Sequence, residues 1–269
     1  AETKVKQAGI RDKFEAQQKK RKLLSWDEAK ARRASLRFDG TTVPTPSFTG
    51  VRELEVGLAE LAEYIDWTPF FHAWELKGSY PKILDSDKYG AKARELLAEG
   101  KAMLTKLIED KSLCAKGVYG FFPAHADGED LVIGSPEDAA VELARIPMLR
   151  QQDELATCYS LVDFVAPKDT GIQDHVGAFA VTAGLGIDPL VKAYEDAHDD
   201  YSAIMVKAIA DRLAEAFAEL LHRRARGEWG YGQDEDLGVD ELIAERFRGI
   251  RPAFGYPACP DHSPKSALF

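Results

Sequence analysis

Between residues 190 and 226 the chain contains neither glycine nor proline. Within that stretch YSAIMVKAIADRLAEAFAELLHRR repeats apolar residues every three or four positions, which predicts one or two long amphipathic helices. The helical period puts Asp211 and Glu215 on one face. A second segment, YGAKARELLAEGKAMLTKLIED, shows the same spacing at Leu96, Leu97, Met103, Leu104 and Leu107. Between the two lies a β-rich middle. GVYGFFPAHADGEDLVIG reads as strand, turn at Asp127-Gly128, strand, and LVDFVAP and HVGAFAVTAG are further short β-type runs. Helices alternating irregularly with short strands predict an α+β fold with a mostly antiparallel sheet. No internal repeat is visible.

A chain of 269 residues can bury a large core, as one large domain or two small ones. Its formal charge of −10 argues against a nucleic acid as main partner, because phosphate backbones are bound by clustered Lys and Arg. The local exception, KKRKLL at residues 19–24, reads as a solvated helix or tether. Three widely spaced cysteines without a CxxC fit neither a disulfide framework nor a zinc site, and a reducing cytoplasm suits them best. No apolar run approaches the roughly 18 residues of a membrane span, and the polar start is no signal peptide.

Residues 1–37 are charged and Gln-rich, with scattered apolar positions at Phe14, Leu23, Leu24 and Trp26, and are expected to form a helical lead-in outside the core. Residues 39–50 read as a loop with strand-like ends. The aromatic cluster Trp67, Phe70, Phe71 and Trp74 reads as core, with His72 a core or rim histidine. Residues 249–262, GIRPAFGYPACPDH, hold three prolines and two glycines, so no regular element runs through them. They form either a connector or a loop of set shape that cradles a ligand. Gly184-Leu185-Gly186 supplies two glycines of a dinucleotide motif, but Pro189 stands where the third is needed, so it is expected to be a structural turn. AHDDY at residues 197–201 could hold a metal, but a solvated helix face is the simpler reading. There is no HExxH, GxSxG or phosphate-binding P-loop.

DWTPFF, YPKIL, DFVAPKDTG, HVGAFAVTAG, HDDYSAIMVKAIADRLAEAFAE and GIRPAFGYPACPDH, in this order from about residue 50 onward, resemble the S-adenosylmethionine-binding activation domain of cobalamin-dependent methionine synthase. The resemblance implies a C-shaped single domain with a twisted antiparallel sheet flanked by long helices. It also implies a function in methionine biosynthesis: the domain presents S-adenosylmethionine as methyl donor for reductive methylation of cob(II)alamin to methylcobalamin. Flavodoxin or a flavoprotein reductase supplies the electron. The parent enzyme is a 5-methyltetrahydrofolate–homocysteine methyltransferase, and this piece alone is not expected to turn over. Nothing in the chain resembles the DxHxxG cobalt-ligand motif, so cobalamin is expected on the neighbouring module, which is the main partner.

The family's ligand contacts carry over to Asp66 of DWTPF, Glu215 of LAEAFAE, and Arg251, Ala253, Gly255 and Tyr256 of RPAFGYP. Arg251 can take the ligand carboxylate through paired hydrogen bonds. Asp66 and Glu215 can receive its ammonium or balance the sulfonium. Asp211 resembles the acid that meets the cobalt-ligand histidine of the neighbouring module, and its alternative is an exposed helix charge. No catalytic residue and no metal ligand is assigned. Where relatives have RPAPGYP this chain has Phe254, a change expected to loosen the loop by one ring. The lead-in is placed at residues 1–37 and the activation domain at residues 38–269, with the family's domain expected to continue further. A second reading, from a different class, is a docking module that caps the cobalamin domain and recruits the flavoprotein without itself binding S-adenosylmethionine.

Overall fold

Local sequence chemistry explains where some of the helices begin. The computed structural model describes residues 2–18, 22–39, 43–231 and 237–268. Helix α1 (Glu2–Gln18) is followed by the short helix α2 (Trp26–Ala31). Ser25 opens α2 with a capping box: its hydroxyl accepts from the Glu28 amide, and the Glu28 carboxylate accepts from the Ser25 amide. This satisfies two donors that helix geometry leaves without partners. Strand β1 (Gly50–Val56) leads into helices α3 (Leu58–Ala62), α4 (Thr68–Ala73) and α5 (Gly90–Glu109). Strands β2 (Cys114–Asp127) and β3 (Asp130–Gly134) form the predicted hairpin, and β4 (Glu142–Pro147) follows. Strand β5 (Asp174–Leu185) precedes helices α6 (Ile187–Asp196), α7 (Asp200–Trp229), α8 (Val239–Ile243) and α9 (Lys265–Leu268).

The strands pair antiparallel in the order β1-β2-β3-β4, and β5 also pairs with β2. Along β2, Ala115 to Phe121 face β1, and Ala124 to Asp127 face β3. Helices and an antiparallel sheet are thus combined as expected. The chain is divided into two compact units, one made of residues 1–44, 122–176 and 249–269, the other of residues 45–121 and 177–248.

In the unit of residues 45–121 and 177–248, α7 is the central element and packs against α3, α4, α5 and α6. Met205, Ile209, Leu213, Phe217 and Leu221 form its fully buried stripe. The aromatic cluster is core, as expected: Phe70 and Phe71 are buried, and Trp67 meets Phe70 edge-to-face at 5.2 Å between centroids. His72 is exposed on the last turn of α4. The long helical stretch is two helices. His198 has φ 56°, and the Asp199 carboxylate accepts from the Ser202 amide at 3.0 Å, so AHDDY is the cap that starts α7.

The other unit has a smaller core of Ala124, Ala126, Leu131, Ile146, Met148, Val162, Val165 and Cys259. Beside it Arg150 and Asp163 form an ion pair whose side chains are both 0% exposed. Arg150 donates to both Asp163 oxygens, to Glu129 at 2.9 Å and to the Cys158 carbonyl at 2.9 Å, and Arg33 approaches Asp163 at 3.4 Å. Burial opposes the charge on Arg150, but the hydrogen bonds to Asp163 and Glu129 outweigh it and hold the guanidinium above its ordinary range.

Two expectations change here. LVDFVAP is not a strand: Leu161–Phe164 is a 3-10 turn. Val162 and Asp163 are both buried, whereas a strand would point neighbours to opposite faces, so the turn is what brings Asp163 inward beside Val162. Leu24 and Ala29, expected outside the core, are buried with Cys158 in a small cluster, and the Leu24 and Cys158 amides donate to the Gln152 and Arg32 carbonyls. Phe14 and Leu23 are exposed. Of KKRKLL, residues 19–21 lie outside the described residues, as do residues 40–42 of the predicted 39–50 loop.

Candidate functional site

The residues singled out from sequence fall into two groups, one in each unit. Asp66, Asp211 and Glu215 belong to the unit built on α7. Arg251, Ala253, Gly255 and Tyr256 belong to the unit with the smaller core.

Asp66 is half-buried just ahead of α4, and its Oδ1 accepts from the Thr68 amide at 2.8 Å. Asp-x-Thr is a sequence that makes such an Asx turn readily, and Pro69 at the start of the helix lacks the amide that would otherwise need a partner. The Thr68 hydroxyl accepts from the Tyr80 amide at 3.1 Å, tying DWTPFF to YPKIL. One Asp66 oxygen therefore fixes the backbone, and among the described residues no hydrogen bond is made by the other.

Asp211 and Glu215 stand one turn apart on the exposed face of α7, opposite its buried stripe. Asp211 pairs with Arg212 at 2.5 Å. Glu215 makes no hydrogen bond or ion pair with any described residue, so its carboxylate is presented to solvent. Glu219 continues the same row at the next turn, half-buried. Sequence reading passed over Glu219, although the i, i+4, i+8 spacing contains it.

The proline- and glycine-rich segment is two consecutive turns, each closed by its own hydrogen bond. The Tyr256 amide donates to the Ala253 carbonyl at 3.1 Å, and the Cys259 amide donates to the Tyr256 carbonyl at 2.8 Å. Gly255 occupies the third position of the first turn with φ 100°, the position where a type II turn requires positive φ. Its amide also donates to the Cys259 carbonyl at 2.9 Å, which locks one turn onto the other. Pro257 sits at the second position of the second turn, where proline is favoured. Phe254 occupies the corresponding position of the first turn and packs against the smaller core, so the lost ring constraint is offset by an apolar anchor. Cys259 is buried in that core, and burial pushes its thiol pKa up, which makes it a packing residue and not a nucleophile. Held from below in this way, the loop leaves Ala253, Gly255 and Tyr256 exposed and Arg251 half-buried.

The glycine pair at the end of β5 has a local explanation at Gly186. Gly186 has φ 96° at the start of α6, and a Cβ there would lie 2.8 Å from the Ser112 carbonyl oxygen. It is a strand-to-helix turn that only glycine fits. Gly186→Ala is expected to lower stability by about 1–2 kcal/mol, the cost of a side chain in the left-handed region. It should leave ligand affinity of the folded protein within a few-fold. A melting curve paired with a titration reads both, and lost binding with an unchanged melting profile would contradict the structural account.

Among the described residues no group of three or more His, Cys, Asp or Glu could hold a metal ion, and no helix is long and apolar enough to cross a membrane.

The family model described as the vitamin B12 dependent methionine synthase activation domain matches residues 57–269. The chain belongs to this family. The activation domain is also similar to a solved structure, the crystal structure of the MetH reactivation domain bound to AdoHcy. The two are 46% identical, with a TM-score of 0.84 over 91% of this chain and 77% of that one. The mixed helical and antiparallel architecture is thus that of the methionine synthase activation domain.

Proposed function

We propose that this activation domain binds S-adenosylmethionine and presents its methyl group for reductive methylation of cob(II)alamin to methylcobalamin. Cobalamin is carried by the neighbouring module of the same enzyme, and the electron comes from flavodoxin or a flavoprotein reductase. The observation that carries this reading is the loop at residues 251–259. Its two interlocked turns fix backbone groups at Ala253, Gly255 and Tyr256, and Arg251 stands half-buried two residues ahead of them. A similar domain was crystallised with AdoHcy, the product of methyl loss from that donor.

The chain's own part in the chemistry is binding and charge placement. Arg251 takes the ligand carboxylate through a planar, two-pronged contact. Asp66 and Glu215 meet the ammonium or offset the sulfonium charge. Tyr256, 63% exposed at the outer turn, offers an aromatic face to the nucleoside end. The corrin of the neighbouring module would supply the reduced cobalt to which the methyl group goes, and Asp211 would be the acid offered to that module. The proposed extent of the domain is residues 38–269, with residues 1–37 leading in from that module. The setting is the cytoplasm, with neither nucleic acid nor membrane as a partner.

Calorimetric titration of the chain with S-adenosylmethionine and, separately, with AdoHcy tests the reading. One-to-one binding of both is expected. The sulfonium adds a positive charge that AdoHcy lacks, so Glu215→Gln should weaken S-adenosylmethionine by roughly three- to tenfold and AdoHcy less. Absence of binding by the wild type would favour the docking module that binds no ligand of its own.

A further inference from the structure

The residues just past the two-turn loop bring one more side chain to it, and the ligand contacts proposed above do not include that side chain. The Asp261 carboxylate accepts from the Ser263 amide at 2.9 Å and from the Ser263 hydroxyl at 2.7 Å. The His262 carbonyl accepts from the Lys265 amide at 3.2 Å. The backbone on either side of His262 is thus held by turn bonds of its own. From there the ring reaches back to the loop: a Cβ built on Gly255 would run into His262 Nε2 and Cε1. The tip of the imidazole therefore stands where a side chain of residue 255 would begin. Gly255 is glycine on account of its φ of 100°, and the space its missing side chain leaves is the space the ring enters. All of these residues belong to one unit.

We propose that His262 is a further ligand-binding residue, whose Nε2 hydrogen-bonds a ribose hydroxyl of the bound nucleoside. The inference rests on the assignment of the loop to S-adenosylmethionine made above. The two turns are closed by their own hydrogen bonds and seated on the smaller core, so the ring is not what shapes them. His262 is exposed, as are Gly255 and Tyr256, and among the described residues its ring makes no hydrogen bond. What it adds to the loop surface is a polar group at a position where glycine can offer none. The ribose is the part of the ligand that suits this group. The carboxylate goes to Arg251, the ammonium and sulfonium are cations that acids serve better, and Tyr256, next to Gly255, already faces the nucleoside end. A neutral imidazole nitrogen either donates or accepts, and a hydroxyl does both, so the bond can form with either tautomer.

The test uses His262→Phe, which keeps a ring against Gly255 but no nitrogen, His262→Ala, which removes both, and His262→Gln, whose amide restores a polar group near the place of Nε2. Each is titrated calorimetrically with AdoHcy and with its 2′-deoxy and 3′-deoxy forms. For AdoHcy, Kd should rise roughly three- to tenfold in His262→Phe and His262→Ala, the loss of one hydrogen bond, and less in His262→Gln. Melting profiles should stay as in the wild type. Against the deoxy form that lacks the bonded hydroxyl, the wild type and His262→Phe should bind equally, an equality that lost packing would not produce. Unchanged affinity of His262→Phe for AdoHcy would overturn the proposal, and so would the same loss against AdoHcy and both deoxy forms. A wild type that binds neither S-adenosylmethionine nor AdoHcy would overturn the reading of the loop and this inference together. Wild-type binding that is indifferent to residue 262 would overturn this inference alone.

Discussion

Arg251→Ala is expected to weaken S-adenosylmethionine binding ten- to hundred-fold while leaving the melting profile nearly unchanged. The loop is shaped by its own turn hydrogen bonds and by Phe254 and Cys259 in the smaller core, so shortening a half-buried side chain at residue 251 should not release it. What disappears is a charge-assisted hydrogen bond to the ligand carboxylate, worth about 1.5–3 kcal/mol. Arg251→Lys should recover part of the loss, since an ammonium keeps the charge but cannot present two parallel donors. Titrating the three proteins calorimetrically at one salt concentration separates these contributions. Equal affinities would make Arg251 a residue of the scaffold and the loop a connector.

The largest loss of stability is expected from Arg150→Met. It strips the counter-charge from Asp163, whose side chain is wholly buried, and removes the donors to Glu129 and the Cys158 carbonyl. Breaking one side of a buried ion pair typically costs about 3–5 kcal/mol, because the remaining charge is left without compensation. Pairing it with Asp163→Leu should restore part of the loss, since two apolar groups leave no bare charge behind. Denaturant unfolding of the single and double variants gives the comparison. A single-variant loss below about 1 kcal/mol would mean that water or Arg33 already serves Asp163.

What was readable from the sequence is what depends on neighbours along the chain. Helices α5 and α7 and the β2–β3 hairpin announce themselves by spacing and by Asp127-Gly128, because periodicity and turn chemistry are local. The stop between α6 and α7 was also present in the letters: AHDDY contains the Asp199 cap, but a histidine beside acids invites a metal interpretation first. The 3-10 turn at residues 161–164 could not be foreseen, because its cause is Arg150, which lies thirteen residues from Asp163 with no periodic pattern between them. The loop at residues 249–262 was legible as rigid from its prolines and glycines. That it contains two interlocked turns, with Gly255 at the third position of the first and at positive φ, emerges from the hydrogen bonds and dihedrals alone. The roles of Asp66, Glu215 and Arg251 came from likeness to a family, since carboxylates and an arginine so far apart in sequence carry no spacing signal of their own. The division of the chain into two units left no mark in composition.

The smaller core is stitched from distant pieces of chain: β2 and β3 supply Ala124 and Leu131, the 3-10 turn supplies Val162, and Phe254 and Cys259 arrive from far downstream. A ribosome delivers these pieces in order, at roughly 5–20 residues per second. Until residue 259 has left the exit tunnel, Ala124, Ala126, Leu131, Ile146, Met148, Val162 and Val165 can pack on one another but lack the side chains of Phe254 and Cys259 that complete the cluster. The segment that finishes the core is also the segment that forms the two-turn loop. In a newly made chain, completion of that hydrophobic interior and the appearance of the loop in its working shape are therefore a single event.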